Sequence, residues 1–82
     1  MTSAYAIKQI KKQTGLEVRS PEGRSNYFFT DNGRHALAFY DQGGDVICLK
    51  VRSINDHDDI QSDYSAGSFF DTLKSALHYF NS

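Results

Sequence analysis

Residues 26–52, NYFFTDNGRHALAFYDQGGDVICLKVR, decide the fold of this chain. Three runs within it, Asn26–Thr30, His35–Tyr40 and Asp45–Arg52, are rich in aromatic and β-branched residues and bounded by turn formers, which is the chemistry of strands. Between the first two lies Asp31-Asn32-Gly33-Arg34. Asn-Gly is a preferred centre for a type I′ hairpin turn, because both central residues need positive φ. A turn centred there sets Thr30 opposite His35, Phe28 opposite Leu37 and Asn26 opposite Phe39. A second loop over Asp41–Asp45, with Gly43-Gly44 absorbing unusual dihedrals, sets Phe39 opposite Ile47, Leu37 opposite Leu49 and His35 opposite Val51. One face then carries Phe28, Leu37, Phe39, Ile47, Leu49 and Val51, the expected core face. The other carries Tyr27, Phe29, Ala36, Ala38, Tyr40, Val46, Cys48, Lys50 and Arg52.

Outward from this sheet, Ser3 or Thr2 caps a helix expected over Ala4–Gln13 and stopped by Gly15. Its apolar positions, Ala6, Ile7 and Ile10, form a stripe too narrow to hold so short a helix in water, so it must dock on the sheet. Lys8, Lys11 and Lys12 face out as a solvated surface. Leu16–Ser20 alternates apolar and polar residues and reads as the first strand, ending at Pro21-Glu22-Gly23. A five-residue loop, Ser20–Arg24, puts Leu16 opposite Phe28 and brings Leu16 and Val18 to the core face. Ser53–Gly67 is polar, acidic and helix-poor, and reads as a long loop. Ser68 with Asp71 resembles a capping box opening a last helix to Phe80. Its apolar face is Phe70, Leu73, Leu77 and Phe80 at three- and four-residue spacing, flanked by Phe69 and Ala76. The expected fold class is α+β: one domain over residues 1–82, with a four-stranded antiparallel meander and N- and C-terminal helices packed on one face, in the order α-β-β-β-β-α.

The 82 residues leave room for one small core. A hydrophobic share of 39% and a charged share of 23% are ordinary for a globular domain. A formal charge of −1 gives no global attraction to nucleic acid or to an anionic membrane. The single Cys48 cannot form an internal disulfide, and the opening MTSAYAIKQIKK has no long apolar segment, so a cytoplasmic location is the expectation.

Chemistry-bearing motifs are missing where they would be needed. An EF-hand loop counted from Asp56 requires glycine at its sixth position and glutamate at its twelfth, but Gln61 and Gly67 stand there. Gly43-Gly44 precedes a strand and no Lys-Ser/Thr, so it is no phosphate loop. His35, His57 and His78 share no ligand spacing, and Cys48 on the second face reads as inert packing beside Ala38. No metal, cofactor or catalytic residue is expected, and the chain reads as a non-enzyme.

What remains is a surface. With both helices on the core face, Tyr27, Phe29, Tyr40 and Val46, with small Ala36 and Ala38 between them, would form an open apolar patch rimmed by Arg19, Arg34, Lys50 and Arg52, a composition typical of interface anchors. In the acidic loop, Asp58, Asp59 and Asp63 beside Tyr64 would add a negative contact for a basic partner. The expected function is a small protein-interaction module. It would bind a protein partner or a second copy of itself as a dimer, as a regulator or inhibitor of bacterial or phage type occludes a partner surface. The alternative is a weak single-stranded nucleic-acid binder, with bases stacked on Tyr27, Phe29 and Tyr40 and phosphates at Arg19, Lys50 and Arg52. No membrane partner is expected. The element order is similar in outline to double-stranded RNA-binding domains, but Ser68-Phe69-Phe70-Asp71 stands where that family places a basic cluster.

Overall fold

The computed structural model describes residues 1–54 and 67–82. Helix α1 (Ser3–Thr14) begins where the Thr2 hydroxyl accepts the Tyr5 N–H, 3.1 Å away, satisfying one of the donors every helix start leaves open. It stops at Gly15, whose φ of +76° returns its N–H to the Lys11 carbonyl. Ala6 and Ile10 are buried, Ile7 packs beside them, and Lys8, Lys11 and Lys12 are exposed. The expected stripe is thus the docking stripe. Backbone bonds from Ser3 N–H to the Gly44 carbonyl, 2.9 Å, and from Val46 N–H to the Met1 carbonyl, 3.0 Å, fix the start of α1 to the sheet.

The sheet is a four-stranded antiparallel meander of β1 (Tyr27–Asp31), β2 (His35–Gln42), β3 (Asp45–Ser53) and β4 (Ser68–Phe69), followed by helix α2 (Leu73–Phe80). Both helices cover one face, where Leu37, Phe39, Leu49 and Val51 meet Ala6, Ile10, Leu73, Ala76, Leu77 and Phe80 in one buried cluster. The class and the order α-β-β-β-β-α stand, but two elements differ from expectation. Leu16–Ser20 forms no strand and contributes a single bridge, Arg19 to Phe29, closed by backbone bonds of 2.8 and 2.9 Å. The Ser20 hydroxyl sits where the chain turns away, its one proton shared between the carbonyls of Arg24 and Tyr27. Leu16 and Val18 still pack against the core. The fourth strand is Ser68–Phe69, where the capping box was expected. It pairs with Val51 and Lys50, and Phe70 N–H reaches the Leu49 carbonyl at 2.9 Å. Satisfying this open edge of β3 outweighs an earlier helix start, and Thr72 caps α2 instead, its hydroxyl accepting the Ser75 N–H at 3.1 Å.

Both turns move. Phe28 pairs with Phe39 and Thr30 with Leu37, so Gly33-Arg34 is the centre of the first turn, one residue beyond Asn32-Gly33. Gly33 has φ +87° while Arg34 keeps negative φ, the pattern of a type II′ turn. Asn32 acts through its side chain: Oδ1 accepts from Arg34 N–H at 2.9 Å and His35 N–H at 2.7 Å, and Nδ2 donates to the Phe80 carbonyl at 2.9 Å. A turn displaced by one residue shifts the register by two, so no side chain changes face. In the second turn Gly43 (φ +61°) and Gly44 (φ +91°) alone join Gln42 to Asp45, and the two positive φ values of a type I′ turn occur here. The β2–β3 register then breaks between Ala38 and Tyr40, opposite Cys48 with φ +53°. This bulge inserts one residue, which leaves Leu49 and Val51 on the core face but exchanges their predecessors. Val46 packs toward the core, and Ile47, paired with Tyr40, lies on the opposite face and is exposed.

Candidate functional site

The second face of the sheet is the place to look, because no helix covers it. Tyr27, Phe29 and Ala38 form their own small cluster with Tyr40 packed against it. The rings of Tyr27 and Tyr40 lie 5.1 Å apart and those of Tyr27 and Phe29 6.1 Å apart. Two arginines from the segment before β1 lie over them. The Arg19 guanidinium sits 4.8 Å from the Phe29 ring centre, and that of Arg24 5.3 Å from the Tyr27 ring centre. Arg24 Nη2 also approaches the Tyr40 hydroxyl at 3.4 Å, and Arg19 Nη2 contacts Asp31 Oδ2 at 2.9 Å.

This arrangement corrects the expectation of an open patch centred on Tyr27 and Phe29. Their exposures are 1% and 3%, and those of Lys50 and Arg52 are 4% and 6%. Arg24, Tyr27, Tyr40, Lys50 and Arg52 are all engaged in further contacts. The physical reason is that a row of aromatic rings is a good seat for guanidinium groups, which cover apolar surface with their stems while their heads stay polar. Neither of these two rings offers a free face on which a base could stack.

The open part of this face is its border toward the second turn and β4. Phe69 is 67% exposed and Ile47 38% exposed, and half-buried Tyr40 lies directly across from Ile47. Phe69 lies directly across from Lys50, and exposed Cys48 stands in the bulge beside Ile47, not packed beneath Ala38. Of the expected contact residues, Tyr40 and Lys50 therefore adjoin the exposed strip, while Val46 faces the core. Arg34 is exposed at the first turn, at the other end of β2. Asp58, Asp59, Asp63 and Tyr64, with Asp56 and His57, lie outside the described residues.

The residue that sequence reading missed is Phe69. The pair Phe69-Phe70 carried the signal: in a strand, neighbours point to opposite faces. Phe70 packs on the core and Phe69 projects to solvent. Among the described residues, no three His, Cys, Asp or Glu side chains are grouped to hold a metal ion. His35 meets Tyr79 at a tilt of 55° with ring centres 5.1 Å apart, and His78 is exposed on α2. No described helix is long and apolar enough to cross a membrane. Comparison with known protein families, curated proteins and solved structures finds no match to this chain.

Proposed function

We propose that this domain is a non-enzymatic protein-interaction module, and that its contact surface on the sheet is the Tyr40–Ile47–Phe69 strip beside Lys50. The observation that carries the reading is the exposure of Phe69 and Ile47 on one face of neighbouring strands. Large apolar side chains grouped at the surface of so small a domain mark contact sites, and aromatic anchors such as Tyr40 are enriched in binding hot spots.

The test is selection of binders from a peptide library against the wild-type domain, followed by affinity measurement on an Ile47→Asp/Phe69→Asp variant. Both positions are exposed, so the variant should keep its circular dichroism spectrum. The selected binders should lose at least about tenfold in affinity, equivalent to ~1.4 kcal/mol. Binders that are indifferent to both substitutions would remove the strip as the contact surface.

A further inference from the structure

The helical side of the molecule has a charge pattern that the interaction reading of the sheet does not use. Helices α1 and α2 carry four of the nine Lys and Arg residues, Lys8, Lys11, Lys12 and Lys74, and none of the ten Asp and Glu residues. On a chain of formal charge −1, one layer is therefore basic and the balance of the chain acidic. Lys11 is paired with Glu17 at 2.6 Å. Lys8, Lys12 and Lys74 are exposed and make no ion pair among the described residues. An open groove of about 770 Å³ lies in this layer, lined by Gln13 at the end of α1 and by Phe70, Lys74, Leu77, His78 and Tyr79. Phe70 and Tyr79 contact each other with ring centres 5.8 Å apart, giving the groove an aromatic wall, and among the described residues no carboxylate lines it.

We infer that this groove docks an acidic protein segment carrying an apolar anchor. The anchor would sit against Phe70, Leu77 and Tyr79, and its carboxylates would meet Lys74, Lys12 and the His78 ring N–H. The occupant follows from charge complementarity at short range. Screening confines the field of exposed charges to about 8 Å at physiological ionic strength, so a short segment lying between the helices senses their lysines. A long polyanion such as duplex nucleic acid or an anionic membrane must approach the whole molecule, whose net charge is slightly negative, and needs many phosphate contacts to gain affinity. The inference adds a second surface and does not depend on the strip around Phe69.

Fluorescence anisotropy with a labelled peptide in which Glu alternates with Leu and Phe tests it, against the same peptide with Gln for Glu. The wild-type domain should bind the acidic peptide several-fold more tightly than the Gln peptide, and the preference should fall as salt is raised. A Lys74→Glu/His78→Glu variant should lose about tenfold in affinity, a Lys12→Gln/Lys74→Gln variant several-fold, and Ile47→Asp/Phe69→Asp nothing. Loss in the sheet variant with retention in the helix variants would overturn the inference, as would equal binding of the two peptides. So would binding of a duplex oligonucleotide or of phosphatidylserine vesicles where the acidic peptide fails to bind.

Discussion

The two faces of the sheet are covered by different means, the second face only in part. On the helix face, Leu37, Phe39, Leu49 and Val51 are covered by side chains fixed on two helices, and Ile10, Leu77 and Phe80 interlock with them. On the other face, the rings of Tyr27 and Phe29 lie under guanidinium groups from a segment joined to the sheet by one bridge. A rigid cover cannot collapse into a space made beneath it, whereas a long flexible side chain can be lost or replaced while water takes up its polar contacts. Stability should therefore be concentrated on the helix face. The second face should tolerate change except where backbone touches backbone.

The largest expected effect lies where the helix cover is deepest. Leu77→Ala removes a buried side chain between α2 and the sheet and should cost about 2–5 kcal/mol, enough to unfold much of a domain this small. Phe70→Ala should cost clearly less, because Phe70 is half-buried and one side of its ring faces the groove. Urea midpoints for the two variants measure the difference. Equal costs would mean that α2 does not hold its face more tightly than its margin.

Next comes the point where the chain enters β4. Gly67 has φ +116°, and a Cβ added there would stand 2.9 Å from the Arg52 Cβ and 2.9 Å from the Val51 carbonyl oxygen. Neither backbone can move without breaking the β3–β4 pairing, and a non-glycine residue at such a φ costs on the order of 1–3 kcal/mol. Gly67→Ala should therefore destabilise by at least that amount and release Phe69 from its register. Hydrogen exchange at the Phe70 amide, bonded to Leu49, reports the release directly. Protection unchanged from wild type would show that the entry to β4 can yield.

The same contrast explains what could be read from the chain in advance. The ends of α1 were legible because their signals are local: a hydroxyl at Thr2 and a glycine at Gly15. The core face survived two misplaced turns because the first correction moved the register by two residues, and the second moved it by one at the turn and by one more at the bulge. Ile47 and Val46 exchanged faces because the two-residue turn moved their pairing by one, and Leu49 and Val51 kept theirs because Cys48 adopts φ +53° in the bulge; cysteine carries no sequence mark of a left-handed conformation. Asn32 was read for its backbone, yet its side chain joins the first turn to the end of α2. The candidate site was the least legible part. Which arginine lies over which ring depends on the path of residues 16–26, where Ser20 bends the chain, and alternation alone does not record that path.

The smallest expected effect concerns the cover of the second face. Arg19 has a side chain 55% exposed to solvent, a contact of 2.9 Å with Asp31 and its guanidinium over Phe29. Exposed ion pairs contribute little, and a cation over an aromatic ring at a surface is worth about 0.5–1 kcal/mol. Arg19→Ala should therefore cost no more than about 1 kcal/mol, much less than Leu77→Ala. The division between charge and coverage follows from a second variant, Arg19→Leu, which keeps apolar atoms over the ring and discards the charge. If the stem supplies most of the protection, Arg19→Leu should recover most of the loss and its urea midpoint should not depend on salt. Equal destabilisation by Ala and Leu, diminished at high salt for the wild type alone, would assign the closure of this face to electrostatics.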